Sequence, residues 1–360
     1  MRGIDIFSGV GGMSIGAAMA GVKTCLAVEI DRYAASAYAL NHPSTKVICA
    51  DIRSVDFSKY RSDEETVVFG GPPCQGFSTS NQRTRSSTNQ NNWLFKEFLR
   101  AVQEIEPEWV VFENVKGITE TEGAKFLQLV VAGLEALGYR VNFTVLNARD
   151  YGVPQSRSRL FVVANSSSRH FEFPPPIHTK PLTVRDAIAD LPALKNGAGV
   201  DVLGYELRPI SNYSRLLRQG GTTSVSGNLV TKNAPEILER YRHIPQGGNW
   251  EDIPEYLMSN YKDRSRCHTG IYRRLEWDQP AVTIGNFRKN MLVHPGEDRG
   301  LSVREAARLQ SFPDSFRFFG SIGFQQQQVG NAVPPLLSKV VFQQVMSDIL
   351  PTVHAIEAAE

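Results

Sequence analysis

Short apolar runs alternate with amphipathic stretches through the first half of the chain. The runs are rich in β-branched residues and cover 3–7, 24–29, 46–49, 66–70, 109–114, 140–146 and 159–164. Apolar residues recur at helical spacing in 12–21, 33–42, 92–106 and 123–137. This alternation predicts an α/β fold with a doubly wound, mostly parallel sheet. Ligands of such sheets bind where the strands reach their carboxyl ends.

The alternation stops at the proline-rich run 173–176. From about 180 to 300 the pattern is irregular, with scattered Gly, Asn, Ser and Tyr, which predicts a second, smaller domain. Beyond it, Ser302 followed by Glu305 has the pattern of a capping box and predicts the start of a helix. A final helix is predicted from the prolines at 334–335 to about Leu350.

Composition narrows the class of protein. The 360 residues include 39 Lys and Arg against 37 Asp and Glu, a balance that permits a polyanionic partner without requiring one. Four scattered cysteines without a CxxC pair argue against disulfides and against a metal site. We expect a cytoplasmic protein with no membrane contact, because no signal peptide and no apolar stretch of about 18 residues is present.

A glycine-rich turn, DIFSGVGG at 5–12, follows the first predicted strand. Gly9 and Gly11 would let a ligand approach the backbone closely. The third glycine of the GxGxxG fingerprint is missing, which disfavours a nicotinamide-dependent oxidoreductase. Glu29 and Asp51 close the next two strands at the same edge of the sheet, where carboxylates suit ribose hydroxyls. These features favour an adenosine-containing cofactor over a simple tight turn.

A single cysteine stands on the stretch GGPPCQGFS at 70–78. Pro72 and Pro73 would fix the direction of the Cys74 thiol, and a following helical segment would favour the thiolate. Cys74 is therefore a candidate nucleophile, and an incidental loop cysteine is the alternative.

Two further strand ends carry polar side chains. Glu113 leaves an apolar strand, where burial would raise the pKa of its carboxyl and suit it to proton donation. Strand alternation puts Gln155, Arg157 and Arg159 on one face, where two guanidiniums would bind an anion or a carbonyl. The alternatives are an ordinary loop glutamate and a solvated edge strand.

Taken in order, these motifs make the chain resemble the DNA (cytosine-5) methyltransferases over nearly its full length. The matching segments are FSGVG at 7–11, PPCQ at 72–75, ENV at 113–115, QSRSR at 155–159, REAARLQ at 304–310 and QVGNAVP at 328–334. The resemblance implies a Rossmann-like fold that uses S-adenosylmethionine. It also implies a catalytic and cofactor-binding domain over 1–178 and 322–360, a target-recognition domain over 179–300 and a connecting segment over 301–321.

The resemblance implies covalent catalysis on a cytosine that is flipped out of double-stranded DNA. Cys74 would add to carbon 6 so that carbon 5 can accept a methyl group, and Glu113 would act at N3. The implied catalytic set is Cys74, Glu113, Arg157 and Arg159. The implied cofactor-binding residues are Phe7, Gly9, Gly11, Glu29, Asp51, Ile52, Pro73, Leu94 and Asn331. The implied substrate-binding residues are Gln75, Ser78, Arg83, Arg85 and Gln155.

The loop at 78–92 departs from the family pattern. Many members carry Asp-x-Arg before the Leu-Phe pair, whereas Asn-Gln-Asn-Asn-Trp precedes Leu94 here. The resemblance implies that this loop closes behind the flipped base, and we hypothesise that Arg83 or Arg85 replaces the missing arginine. Candidate base-reading segments lie around 213–223, 264–274 and 286–290.

The resemblance also implies that the chain is a bacterial methyltransferase of the restriction-modification type. It implies a monomer, and a cognate restriction endonuclease that forms no stable complex with it. Two alternatives stay open, a tRNA cytosine-5 methyltransferase and a catalytically silent DNA-binding relative. The long recognition segment argues against the first, and intact Cys74, Glu113 and Arg159 argue against the second.

Overall fold

A computed structural model of the chain describes residues 1–73, 93–120, 124–166, 171–176, 180–218, 223–259, 269–285, 287 and 292–347. The chain divides into two compact units. The first comprises Met1–Tyr151, Ser158–Ile177 and the segment from Pro335 onward, and the second comprises Gly152–Arg157 and His178–Pro334.

A seven-stranded sheet forms the centre of the first unit. Its strands are β1 (Arg2–Ile6), β2 (Lys23–Glu29), β3 (Lys46–Cys49), β4 (Thr66–Gly70), β5 (Trp109–Val115), β6 (Arg140–Asn147) and β7 (Ser158–Asn165). The spatial order is β3-β2-β1-β4-β5-β7-β6. Strands β1 to β5 are parallel, and β7 runs antiparallel to both of its neighbours. The predicted doubly wound, mostly parallel sheet is confirmed.

Ten α-helices accompany these strands among the described residues. Those of the first unit are α1 (Gly12–Met19), α2 (Arg32–Asn41), α3 (Phe95–Ile105), α4 (Lys125–Ala136) and α10 (Pro335–Ser347), and those of the second are α5 (Val184–Ile188), α6 (Asn212–Leu217), α7 (Pro235–Arg242), α8 (Val303–Leu309) and α9 (Ile322–Asn331). Both faces of the sheet are covered. Phe98 of α3 packs edge-on against Phe112 of β5 with ring centroids 5.2 Å apart, and Phe342 of α10 packs against Phe69 of β4 at 4.9 Å.

A polar cluster lies buried between β1 and the first two helices. Ser14 Oγ donates a hydrogen bond of 2.6 Å to Asp5 Oδ2 and lies 2.6 Å from the hydroxyl of Tyr38. Asp5 is only 1% exposed, and burial raises the pKa of its carboxyl to about 8. The fold therefore favours the protonated carboxyl at neutral pH.

We expect Asp5→Asn to alter how stability depends on pH. The unfolded Asp5 carboxyl ionises near its ordinary pKa of 3.8 and the folded one near 8, so its stabilising contribution is complete below pH 3.8 and is lost as pH rises toward 8. Asparagine cannot ionise, so the free energy of unfolding of the variant relative to wild type should increase by more than about 1 kcal/mol between pH 5 and 8. Urea denaturation across this range measures the difference, and a constant difference would contradict a protonated Asp5.

The second unit has little regular structure. Its strand pairs in the described residues are β8 (Leu203–Gly204) with β9 (Ser224–Val225) and β10 (Arg273–Arg274) with β11 (Leu292–Val293). Ion pairs lie in its interior. The Arg308 guanidinium donates from Nε and Nη2 to the two carboxylate oxygens of Asp314, each at 2.6 Å, and from Nη1 to Asp190 Oδ1 at 3.1 Å. All three side chains are fully buried.

The helix that carries Arg308 begins as predicted. Ser302 caps α8, and its side chain and that of Glu305 complete a capping box. This region belongs to the second unit. Within that unit, Arg308 Nη1 donates to Ala187 O at 2.8 Å, and Gln310 Nε2 donates to Val329 O at 2.9 Å. The functional division into 1–178 with 322–360, 179–300 and 301–321 stays a prediction.

Within the described residues, no helix is long and apolar enough to cross a membrane. The same part of the chain contains no cluster of three or more His, Cys, Asp or Glu side chains arranged to hold a metal ion.

Candidate active site

The first part of the site is the turn between β1 and α1. Phe7, Gly9 and Gly11 have positive φ angles of 61°, 55° and 87°. A Cβ on Gly9 would have no atom within 4 Å, whereas one on Gly11 would lie 2.6 Å from Nε2 of His42. The turn therefore has open space beside Gly9, and it packs against the end of α2 at Gly11.

The carboxylate of Glu29 ties this turn to the end of β2. Its two oxygens accept hydrogen bonds of 2.8 Å from the backbone N–H groups of Gly9 and Asp31. Burial raises the pKa of Glu29, and the two backbone hydrogen bonds oppose that rise. The next residue, Ile30, is a large apolar side chain that is 67% exposed to solvent. The sequence pattern did not indicate a role for Ile30.

Asp51 follows β3 at the same edge of the sheet. Its Oδ1 accepts hydrogen bonds from the backbone N–H of Arg53 at 3.0 Å and from Arg53 Nε at 2.9 Å. The hydrogen bonds from Arg53 lower the pKa of Asp51 to about 2, so it is ionised at neutral pH. Ile52 is buried in the core beneath the sheet, and the partly buried Phe7 and Leu94 pack against the same core.

This edge suits an adenosine-bearing ligand. Ser8 Oγ is buried and has no hydrogen-bond partner among the described residues, so a polar ligand group could satisfy it. Glu29 and Asp51 offer carboxylate oxygens to hydroxyl and amino groups, and Gly9 leaves room for close approach. The residues present therefore fit S-adenosylmethionine.

The second part of the site pairs a carboxyl group on β5 with a guanidinium on β7. Arg159 Nε lies 2.9 Å from Glu113 Oε1, and their side chains are only 12% and 10% exposed. Because Arg159 is opposite Val115 in the antiparallel ladder, Glu113 and Arg159 are diagonal neighbours on one face. The guanidinium fixes the orientation of the Glu113 carboxyl group.

Two glycines before the prolines are in close contact with their surroundings, one with this carboxylate and the other with β1. A Cβ on Gly71 would lie 2.5 Å from Glu113 Oε2, and a Cβ on Gly70 would lie 1.7 Å from the carbonyl oxygen of Ile6. Neither contact is compatible with a side chain unless the structure shifts. Gly71 thus lets the chain pass directly beside Glu113, and Gly70 lets it pass close to β1.

The side chain of Asn114 holds the proline segment by a hydrogen bond to its backbone. Its Nδ2 donates to Pro72 O at 3.1 Å, and its Oδ1 accepts from the backbone N–H of Val115 at 2.9 Å. Asn114 is buried, and Pro73 is exposed. Sequence reasoning gave Asn114 no role, although its position directly after the candidate acid was the available signal.

Gln155 and Arg157 lie in the second unit, and both side chains are buried. Arg157, 1% exposed, donates to Ile284 O at 2.6 Å and to Gly330 O at 2.9 Å. Gln155 is fully buried, accepts from the backbone N–H of Ile284 at 2.9 Å and donates to Leu309 O at 3.1 Å. These contacts suit a scaffold role. The catalytic role expected for Arg157 and the substrate-binding role expected for Gln155 stay predictions.

Several of the remaining predicted residues lie outside the part of the chain that the structure describes. Cys74, Gln75, Ser78, Arg83 and Arg85 lie outside the described residues, as do parts of the candidate base-reading segments. Their roles stay predictions. Asn331 is exposed at the end of α9 in the second unit, and its cofactor role also stays a prediction.

Comparison with known sequences is consistent with this geometry. Residues 1–347 match the family profile described as C-5 cytosine-specific DNA methylase. The Type II methyltransferase M1.HphI of Haemophilus parahaemolyticus is 36% identical over 349 residues, which cover 95% of this chain and 86% of that protein. The Type II methyltransferase M.DdeI of Desulfomicrobium norvegicum is 33% identical, with 96% and 88% covered.

Solved structures are similar over the whole chain. A prophage-encoded protein of E. coli, assigned as a DNA modification methyltransferase, superposes with a TM-score of 0.79 at 26% identity and covers 97% of this chain and 99% of its own. The Dnmt2 methyltransferase of S. pombe has a TM-score of 0.55 at 18% identity, with 98% and 99% covered, and shares the fold.

Proposed function

Because the chain belongs to the C-5 cytosine-specific DNA methylases, which use S-adenosylmethionine to methylate carbon 5 of cytosine, we propose that it modifies one double-stranded DNA sequence as a Type II restriction-modification methyltransferase. The chain is thus a DNA (cytosine-5)-methyltransferase, and the family disfavours the tRNA alternative. The observation that carries the proposal is the buried Glu113–Arg159 pair beside the segment that leads to Cys74.

The cofactor would lie at the ends of β1, β2 and β3. When bound, S-adenosylmethionine supplies an electrophilic methyl group. The carboxylates of Glu29 and Asp51 would accept hydrogen bonds from its hydroxyl and amino groups, and Gly9 and Gly11 would shape the turn around it. Apolar contacts would come from Phe7, Ile52, Pro73 and Leu94, and Asn331 would complete the pocket.

The chemistry on the base would need three side chains. Cys74 Sγ would form a bond to carbon 6 of the flipped cytosine, which makes carbon 5 nucleophilic. Glu113 would protonate or hydrogen-bond N3 as negative charge develops there, and Arg159 would orient Glu113 and hold the base. After methylation the carbon 5 proton leaves to water, the double bond between carbons 5 and 6 re-forms, and Sγ departs as the thiolate. Any proton that N3 received returns to Glu113.

The setting is a further part of the proposal. Relatives named as Type II methyltransferases support a restriction-modification system. We propose that the protein acts as a monomer and forms no stable complex with a cognate endonuclease. Size-exclusion chromatography with light scattering tests the first point, because an oligomer at assay concentration would overturn it.

Bisulfite sequencing tests the proposed function. DNA from methylation-free bacteria that express the chain should contain protected cytosines in one sequence context, and a matched Cys74→Ala strain should contain none. Absence of protected cytosines, from folded protein that binds S-adenosylmethionine, would overturn the proposal and favour a silent DNA-binding relative. Protection that persists in the Cys74→Ala strain would overturn the role of Cys74.

A further inference from the structure

Arg100 on α3 makes four directed contacts at one place. Its Nη2 donates to Ile52 O at 2.8 Å and its Nη1 to Val55 O at 3.0 Å. Two carboxylates of the same helix hold the guanidinium, Glu97 at 2.7 Å and Glu104 at 2.8 Å. The side chain is 30% exposed, so these charge-assisted bonds are partly shielded from solvent. Arg100 therefore holds the chain just beyond Asp51 against α3.

A second link runs from the same helix to the same loop. Glu104 Oε2 accepts a hydrogen bond of 2.8 Å from the backbone N–H of Phe57. The Arg100 guanidinium also lies over the Phe57 ring, 5.5 Å from its centroid. The loop over 52–57 is thus held by α3 at its beginning, through Ile52 O, and at its end, through the Phe57 N–H.

The position of α3 gives this arrangement a consequence for the cofactor. Leu94 is the N-cap residue of α3 and packs against the same core as Ile52. Leu94 and the Asp51–Ile52 segment are two of the walls expected around S-adenosylmethionine. One helix therefore carries the first wall and, through Arg100, fixes the backbone of the second.

We propose that Arg100 is a positioning residue for the cofactor, which sets the separation between the Asp51–Ile52 wall and the Leu94 wall. This inference rests on the proposed function. Arg100 itself touches neither the cofactor nor the base. Without its two bonds to Ile52 O and Val55 O, the loop can move away from α3, and the free protein populates the binding-competent arrangement less.

The chain offers a matched control for Arg100. Arg61 also pairs with an acidic residue of the α3 segment, donating from Nη1 to Oε1 of Glu106, the C-cap residue, at 2.7 Å. That pair is well exposed, and it holds no carbonyl of the cofactor loop. Arg61→Met thus removes a guanidinium–carboxylate pair from the same helix and leaves the Ile52 contact intact.

Isothermal titration calorimetry with S-adenosylmethionine tests the proposal on the purified wild type, Arg100→Met and Arg61→Met. We expect Kd to rise about 10-fold to 100-fold in Arg100→Met, since two charge-assisted hydrogen bonds to the loop are lost, and to stay within about twofold in Arg61→Met. The KM for S-adenosylmethionine should rise by the same factor as Kd, whereas kcat at saturating cofactor and the KM for DNA should stay near wild type.

Three outcomes decide between the proposals. If the melting temperature of Arg100→Met falls while its Kd is unchanged, Arg100 is a structural residue only and the inference is overturned. Should Arg100→Met not fold, Arg100→Lys serves instead, because one ammonium cannot serve both carbonyls and both carboxylates, and an unchanged Kd would overturn the inference equally. Failure of the wild type to bind S-adenosylmethionine would overturn the proposed function itself, and the wild-type titration alone reveals that.

Discussion

Glu113→Gln should lower kcat by about 10²-fold to 10⁴-fold, the range in which a positioned proton donor contributes. Glutamine keeps the shape of the side chain, and its oxygen can still accept a hydrogen bond from the Arg159 guanidinium, which lies 2.9 Å from Glu113 in the wild type. It cannot pass a proton to N3. Affinity for S-adenosylmethionine should stay near wild type, because Glu29 and Asp51 rather than Glu113 face the expected cofactor. Single-turnover transfer of a labelled methyl group to DNA measures the chemical step directly.

The control for this variant is Glu106→Gln. Glu106 is also paired with an arginine, Arg61, but the pair lies on the surface and takes no part in the proposed chemistry. Its substitution should leave kcat within about twofold of wild type, because exposed ion pairs contribute little. A kcat for Glu113→Gln within tenfold of wild type would show that Glu113 is not the proton donor.

Arg308→Met should lower the free energy of unfolding by about 3–5 kcal/mol, the cost of leaving buried charges without their partner. In the wild type the guanidinium pairs with both Asp314 and Asp190, and all three side chains are fully buried. Methionine fills much of the same volume but has no hydrogen-bond donor. Neither carboxylate can therefore recover the bonds that the guanidinium made. Urea denaturation followed by tryptophan fluorescence measures the loss.

Arg242→Met is the matched control for that measurement. Arg242 pairs with Glu239 on α7, where both side chains are exposed. Its loss should change the free energy of unfolding by less than about 1 kcal/mol, in keeping with solvent screening. If the two variants were equally stable, the buried network would not be what holds the second unit together.

The sequence pattern predicted the elements of the first unit well. Apolar runs at 24–29, 66–70 and 109–114 correspond to β2, β4 and β5 within one residue at each end. Those runs are local and largely buried, so each is readable without knowledge of its neighbours. The insertion of β7 between β5 and β6 was not readable, because strand order depends on contacts between distant segments.

The same distinction applies to the site. Glu113 and Arg159 were both singled out, but their ion pair depends on the β5–β7 pairing, which the sequence pattern does not contain. Strand alternation does not place Gln155 and Arg157 on the face of Arg159, and the reason is physical. β7 begins only at Ser158, so the two earlier residues are not in the strand and period-two alternation does not apply to them.

The antiparallel placement of β7 makes the Glu113–Arg159 ion pair depend on strand register. Arg159 reaches Glu113 only while it is opposite Val115. A slip of one residue would turn Arg159 to the other face of the sheet and leave the carboxylate without its cation. A refolded molecule with that error would keep its helix and strand content, and spectroscopy of the backbone would not distinguish it from the native protein. Under the proposed role of Glu113, methyl transfer would be lost, so enzymatic activity would report on the pairing of these two strands.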